Sequence, residues 1–188
     1  KGISICAVCH APLYRDKPVA VVGGGNAALQ TAIEMTKFAS SVTLIARGAL
    51  RCDEIFLSRA EEAGIRTLSP HEVTALHGDA ALTGITVRDR ETGEEMNLDV
   101  EGLFLSIGFA PNTEFLKDLV ALNERGEILI DENGRTNVPG VFAAGDATCV
   151  KAKQIIVAAG DGAKAALEAH EYLEELVGKP TKEPVVCR

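Results

Sequence analysis

No apolar run in this sequence reaches the roughly 18 residues a membrane-spanning helix needs, so no segment is expected to cross a membrane. Positive charge is also in short supply: 19 Lys and Arg stand against 27 Asp and Glu, a net charge of -8. That argues against a broad nucleic-acid-binding face, which needs clustered cations. Cysteine is sparse. Five in 188 residues are too few and too unevenly placed for a disulfide scaffold, and they read as cytoplasmic thiols with one special pair. The opening Lys1-Gly2-Ile3-Ser4-Ile5-Cys6 has no signal-peptide pattern and no initiating Met, so it reads as the start of a fragment. The remaining composition, 46% hydrophobic and 24% charged, is ordinary for a soluble globular protein. The length allows one full domain plus part of a second.

The apolar pattern predicts an alternation of strands and helices. Val19 to Val22 is a β-branched run read as a buried strand, and Ala27 to Ala39 reads as a helix with Leu29, Ala32, Ile33 and Thr36 at helical spacing. Ser41 to Ala46 is the next strand, and Asp53 to Gly64 the next helix. Strand, helix, strand, helix in this order predicts a Rossmann-type half. Leu82 to Arg90 and Glu95 to Val100 read as antiparallel strands around a turn at Glu91-Thr92-Gly93, and Leu103 to Ile107 as a strand returning to the sheet. Gly108-Phe109-Ala110-Pro111-Asn112 is a break and the expected boundary between a domain over 1–107 and a second over 108–188. Beyond it the pattern predicts strands at Glu127 to Ile130 and Val141 to Ala144. A long helix follows from Gln154 to Val177, stopped by Gly178 and Pro180. The fold class expected is α/β: a three-layer nucleotide-binding domain with an antiparallel β insertion, plus an incomplete second α/β domain.

Gly23-x-Gly25-x-x-Ala28 falls between the first strand and the first helix. There the first glycine allows a tight turn, the second lets backbone approach a pyrophosphate, and the small third residue lets helix pack on strand. The helix start at Asn26 and Ala27 would offer N–H groups and a positive dipole end to phosphates. The bland alternative is a tight turn only. About twenty residues further on, where an acidic residue would hold the ribose of NAD and an arginine the 2′-phosphate of NADP, stand Ala46-Arg47-Gly48, with Arg51 near. No carboxylate is present, which favours NADPH over NADH unless both arginines are merely solvated charges.

Cys6-Ala7-Val8-Cys9 precedes the glycine strand. A pair at this spacing can close a small disulfide and supply a reactive thiolate. It could also be half of a zinc site, but Cys52, Cys149 and Cys187 form no second pair. With His10 it spells the attachment signature of c-type haem, although export and a distal ligand are both missing. A redox dithiol suits these surroundings best, and no metal ligand is assigned.

Four ordered motifs carry a resemblance over essentially the whole chain: the dithiol followed by Gly23-Gly24-Gly25-Asn26; SIGFAPNT over 106–113; TNVPGVFAAGDAT over 136–148; and KQIIVAAGDGAKAA over 153–166. Together they resemble the bacterial low-molecular-weight thioredoxin reductases, and still more closely the flavoprotein component of alkyl hydroperoxide reductase. The resemblance implies that NADPH or NADH reduces FAD, FAD reduces the Cys6–Cys9 disulfide, and the dithiol reduces a thioredoxin-like or peroxiredoxin-linked protein disulfide. Cys9 would face the flavin and Cys6 the partner. Gly145 and Asp146 would meet the ribityl–phosphate region of FAD. Lys153, Gln154 and Ile155 would lie against the isoalloxazine at a helix start, and Ile107 and Gly108 would form the hinge near the nicotinamide. A homodimer is expected of the complete protein.

Three departures qualify this. The first half of the FAD domain is missing, so the chain by itself is expected to bind FAD poorly and to be inactive. His10 replaces the usual Asp after the second cysteine; imidazole can act as acid or base near neutrality and can favour a Cys9 thiolate, unless His10 is a bystander. Ala46-Arg47-Gly48 matches neither the His-Arg-Arg of the thioredoxin reductases nor the Glu of the hydroperoxide reductase flavoprotein. A different kind of protein therefore stays in view: a nucleotide-binding module whose CxxC is a redox switch.

Overall fold

The short apolar runs of the first hundred residues assemble into two sheets. The structure, a computed structural model, describes residues 1–178; Pro180 and Cys187 lie outside them. The strands are Ile3–Ser4 (β1), Pro18–Val22 (β2), Ser41–Ile45 (β3), Arg66–Leu68 (β4), His71–His77 (β5), Gly84–Asp89 (β6), Glu95–Leu98 (β7) and Gly102–Leu105 (β8). The helices are Ala7–His10 (α1), Asn26–Met35 (α2), Glu54–Glu62 (α3) and Ile155–Leu176 (α4). The chain divides into two compact units, Lys1–Gly108 and Phe109 onward.

In the first unit β1-β8-β2-β3-β4 make a parallel sheet and β5-β6-β7 an antiparallel one. Strand side chains alternate between faces, and the two apolar clusters follow that alternation. Val19, Val21, Val42, Leu44 and Phe104 point to one side, where Ala28, Leu29, Ala32 and Met35 of α2 and Ala60 of α3 cover them. Ala20, Ile45 and Leu103 point to the other, against Ile85 and Val87 of β6 and Val100. Helices, parallel sheet and antiparallel sheet are therefore three layers. Because both faces of the parallel sheet are covered, its strands read as continuous apolar runs. Phe104, 1% exposed, is the largest of these buried side chains and meets Tyr14 edge to face at 5.1 Å.

Several boundaries differ from those the sequence predicts. The first helix starts at Asn26 and ends at Met35, four residues early, where a turn takes over and the Phe38 and Ala39 amides donate to the Met35 carbonyl. The strands β1, β4 and β5 are additional. In the second unit, the strands expected at 127–130 and 141–144 are absent. Ile128 makes only isolated bridges to Leu122 and Thr148, and Phe142 one to Arg135. The turns at Asp131–Gly134 and Val138–Val141 break each run before a ladder can grow.

What orders the second unit is α4 and its loops. Arg135 pairs with Glu168, and Phe142 packs on Tyr172 with centroids 6.0 Å apart. Helix α4 fully buries only Ala165, while Ile155, Ile156, Leu167, Leu173 and Leu176 remain exposed.

Candidate functional site

The carboxyl ends of β1, β8, β2 and β3 all lie at one edge of the parallel sheet, as parallel pairing requires. In open α/β sheets this is the edge where ligands bind. Out of it run the Cys6–Cys9 segment, Ser106, the glycine loop and the loop from Arg47 to Asp53.

Gly23 sits at φ +147°, and a Cβ there would stand 2.3 Å from the Ser106 carbonyl oxygen and 2.8 Å from the Ala28 Cβ. Only glycine fits such a turn. Its amide donates to the Ile45 carbonyl at 2.9 Å, which pins the turn to β3. Gly25 is different: its φ of -102° suits any residue, and a Cβ would come no nearer than 3.8 Å to another atom, the Arg51 carbonyl oxygen. Gly25 therefore leaves bare backbone open at the start of α2. The first amides of a helix have no acceptor within it; here the helical bonds begin with Ala28 and Leu29, whose amides donate to the Gly25 carbonyl. Asn26 and Ala27 are exposed there and Ala28 is buried against the sheet.

The side chain of Asn26 has a role the sequence reading missed. Its amide donates to Asp53 Oδ2 at 3.0 Å, and its oxygen accepts from the Asp53 amide at 2.8 Å. The Arg51 amide donates to the Gly24 carbonyl at 2.6 Å. These three bonds hold the 47–53 loop against the glycine loop, so it is the backbone of Asn26, not its side chain, that is left for a ligand. Asp53 could have been found from its place just before a helix, a usual capping position.

Ala46 is buried at the end of β3, and Arg47 and Arg51 are exposed. The antiparallel sheet supports this loop: Arg90 Nη1 donates to the Arg47 carbonyl at 2.7 Å, and Ser69 Oγ to that of Gly48 at 2.8 Å. Glu72 is held below the usual carboxylate range by a hydrogen bond from Arg88 and then by the charges of Arg88, Arg90 and Arg47. Arg88 and Arg90 thus pair with Glu72, and the charge of Arg47 also acts on it. Arg88, Arg90 and Glu72 were invisible from sequence because strand pairing brings them to Arg47.

Cys6 and Cys9 are joined by a disulfide, with Cα atoms 5.3 Å apart. Cys6 caps α1, and its sulfur accepts from the Cys9 amide at 3.2 Å. Cys6 is half-buried, while Cys9 and His10 are exposed. His10 Nδ1 lies 2.9 Å from Ser4 Oγ. Strand β8 alone separates β1 from β2, so the disulfide and the glycine loop leave the sheet about 10 Å apart, two strand spacings.

The remaining sequence-predicted residues lie elsewhere. Ile107 is exposed and Gly108, at φ +89°, ends the first unit. In the second unit Gly145, at φ +72°, is buried with its missing Cβ 3.1 Å from that of Ala158, and Asp146 is exposed beside it. Lys153 Nζ is spoken for by Glu127 Oε1 at 3.0 Å and by the carbonyls of Asp146 and Thr148. Glu127 is held below the carboxylate range by a hydrogen bond from Asn123 and then by Lys153. Lys153 is therefore a clamp on the 146–148 turn. Gln154 caps α4, and Ile155 is 89% exposed. Asp146, Ala147, Lys153 and Glu127 line a cleft of about 210 Å³ with Phe109 to Asn112. No helix among the described residues is long and apolar enough to cross a membrane.

Residues 1–162 match the family of pyridine nucleotide-disulphide oxidoreductases. The chain belongs to this family. Among curated family relatives, the F subunit of alkyl hydroperoxide reductase in Xanthomonas campestris is 44% identical over 176 residues, and that of Staphylococcus aureus 45% over 175. Each alignment takes in 92% of this chain but only 33% and 34% of the relative. The chain thus spans about a third of the length of these relatives. Among solved structures, thioredoxin reductase from Streptococcus pyogenes superposes with a TM-score of 0.86 at 34% identity, covering 93% of this chain and 58% of that one. The enzyme of T. acidophilum is 39% identical with a TM-score of 0.66, covering 94% and 58%.

The residues of this pyridine nucleotide-disulphide oxidoreductase fit one of the two groups its family implies better than the other. The open Gly25 backbone at a helix start, flanked by Arg47 and Arg51, suits a dinucleotide diphosphate. For FAD the described residues offer less. A cleft of about 210 Å³ is below the range of roughly 300–1,000 Å³ typical of small-molecule and cofactor sites.

Proposed function

We propose that this chain performs the nucleotide-binding and dithiol steps of a flavin-dependent NAD(P)H:protein-disulfide oxidoreductase. The observation that carries the reading is the closed Cys6–Cys9 disulfide, one strand removed from the glycine loop at a single sheet edge. The loop from Gly23 to Ala28 binds the diphosphate through the backbone amides of Gly25, Asn26 and Ala27, those of Gly23 and Ala28 being engaged by Ile45 and Gly25. Arg47 and Arg51 contact the adenosine end, and the surplus of Arg47, Arg88 and Arg90 over Glu72 favours the extra phosphate of NADPH. When bound, FAD supplies the relay for two electrons between nicotinamide and disulfide. The two sulfurs receive those electrons with two protons and become thiols. Cys6, whose sulfur accepts the Cys9 amide, attacks the partner disulfide; Cys9 then attacks Cys6, closing their bond and releasing the reduced partner. His10 gives and takes the protons. Gly145 and Asp146 meet the ribityl–phosphate part of FAD, Lys153 and Gln154 fix the turn beneath its ring, and Ile107 and Gly108 form the hinge. The partner is a thioredoxin-like or peroxiredoxin-linked disulfide, the protein is cytoplasmic, and the complete form is a homodimer.

Because the cleft beside Asp146, about 210 Å³, is smaller than a typical cofactor site, the 188-residue chain binds nucleotide and cycles its dithiol without coupling the two. The test has two arms. Calorimetry should show NADPH or NADH binding to the chain, and mass spectrometry should show its disulfide opening with dithiothreitol and closing again. In full-length form with FAD, nucleotide oxidation should be matched by reduction of a thioredoxin-like disulfide. Absence of that turnover with both nucleotides, beside normal dithiol cycling, would favour the second reading, a nucleotide-binding module with a redox switch, for which the small cleft speaks.

A further inference from the structure

We propose that Ser4 is a positioning residue for the dithiol: its hydroxyl accepts the Nδ1 proton of His10 and leaves Nε2 as the nitrogen that exchanges protons with the sulfurs. The inference rests on the reading of Cys6–Cys9 as a redox centre and deepens it.

Ser4 is the last residue of β1, paired with Phe104 in the parallel sheet, and only 6% exposed. Its backbone is therefore fixed by the core and not by the loop it serves. Its hydroxyl oxygen receives the Cys6 amide at 3.1 Å, lies 3.2 Å from the Cys6 carbonyl oxygen, and lies 2.9 Å from His10 Nδ1. The His10 amide donates to the same Cys6 carbonyl at 3.2 Å. One buried hydroxyl thus ties both ends of the Cys6-to-His10 segment to the sheet.

A hydroxyl has one proton and two lone pairs. The Cys6 amide uses one lone pair, so the proton goes to the Cys6 carbonyl or to Nδ1. Given to Nδ1, it must swing away to the Cys6 carbonyl each time the ring is protonated, reversing the 2.9 Å hydrogen bond. Given to the Cys6 carbonyl, it leaves the second lone pair for an Nδ1–H, and the contact persists in both states of the ring. That arrangement suits a histidine that must gain and lose a proton in each turnover, because the hydroxyl need not turn.

The exchange balances on these atoms. The Cys6 proton resides on Nε2 while the Cys6 thiolate attacks the partner disulfide; the Cys6–partner S–S bond forms, the partner's own bond breaks, and the leaving sulfur takes the Nε2 proton. Nε2 then takes the Cys9 proton as Cys9 attacks Cys6. The Cys6–Cys9 bond re-forms, and the second partner sulfur leaves with that proton. Two electrons and two protons pass from the dithiol to the partner.

The test uses the 188-residue chain with ¹⁵N-labelled histidine and glutathione disulfide as the oxidant. Long-range ¹H–¹⁵N spectra, assigned with His10→Asn, should show His10 protonated at Nδ1. Ser4→Ala should mix the two tautomers and slow reoxidation of the reduced dithiol about tenfold, a fraction of what a general acid–base group contributes. Ser4→Thr, which keeps the hydroxyl, should restore both. Adding Ser4→Ala to His10→Asn should slow the reaction no further. An Nε2-protonated His10 in the wild type, or a Ser4→Ala chain with wild-type tautomer and rate, overturns the proposal. The tautomer in the wild type decides even if Ser4→Ala fails to fold. If the wild-type disulfide resists both dithiothreitol and reoxidation, it is the redox reading itself that fails.

Discussion

Two glycines two residues apart should respond to the same substitution in opposite ways. Gly23→Ala places a Cβ 2.3 Å from the Ser106 carbonyl oxygen at φ +147°, a region open essentially to glycine alone. The backbone strain is worth about 1–3 kcal/mol, and forcing atoms into packed surroundings adds about 1–3 kcal/mol more. The sum, roughly 2–6 kcal/mol, is a large part of the 5–15 kcal/mol that holds a typical domain together. Gly25→Ala meets nothing within 3.8 Å and keeps an ordinary φ of -102°. Its loss of helix-cap quality, about 0.5–1 kcal/mol, is offset by the lower entropy of the unfolded chain, about 0.4–1 kcal/mol. Its stability should match the wild type, while the new methyl group stands over the amides proposed to hold phosphate and weakens nucleotide binding at least tenfold, about 1.4 kcal/mol. Urea unfolding with calorimetric titration of NADPH separates the two effects. Equal destabilisation by both substitutions would refute the turn geometry, and unaltered affinity in Gly25→Ala would refute the phosphate platform.

Arg47→Glu should reverse the nucleotide preference from NADPH to NADH by about tenfold, since it replaces attraction with repulsion at the adenosine end; competition titrations check this, and an unchanged ratio would reduce Arg47 to a surface charge. Cys9→Ser should leave nucleotide binding intact and abolish dithiol turnover, with one Cys6 thiol reacting where the wild type shows a disulfide; preserved turnover would remove Cys9 from the chemistry. Glu127 is held below its ordinary value of 4.5 by Asn123 and Lys153, so its stabilising effect is complete above that pH and fades as pH falls through the lowered value. Glu127→Gln should therefore lower the thermal midpoint of the second unit at neutral pH, and the gap to wild type should close under acid. A gap that persists in strong acid would point to packing and not to charge.

Sequence pattern revealed the first unit where burial is two-sided. Val19 to Val22 and, but for Thr43, Val42 to Ile45 are apolar on both faces because helices cover one side and β6 the other, so a nearly plain apolar run identifies them. The strands β1 and β4 have two and three residues, too few to show a period. In β5, His71 is buried while residues 74–77 are exposed, and no clean alternation survives. The expected strands of the second unit failed for the opposite reason: Ile128 is buried, as a strand residue would be, but its neighbours Glu127 and Asn123 are engaged in a turn. At the site, the Gly23-to-Ala28 pattern and the Cys6–Cys9 pair were legible because backbone conformation and short spacing are written locally. Arg90 and Glu72 were not, since strand pairing brings Arg90 to Arg47 from 43 positions away in the chain; Ser4 was missed although it lies six residues from His10, because nothing in its short strand marks its hydroxyl.

The central claim is that a dinucleotide rests on the backbone at Gly23 to Ala28, within reach of a disulfide on the same sheet edge. Amide NMR of the 188-residue chain titrated with NADPH addresses it directly. The amides of residues 23–28 and 47–53 should shift first and saturate together, with those of Cys6 to His10 following as the nicotinamide end approaches. Shifts confined to the second unit, or none at concentrations that saturate other dinucleotide-binding folds, would contradict it.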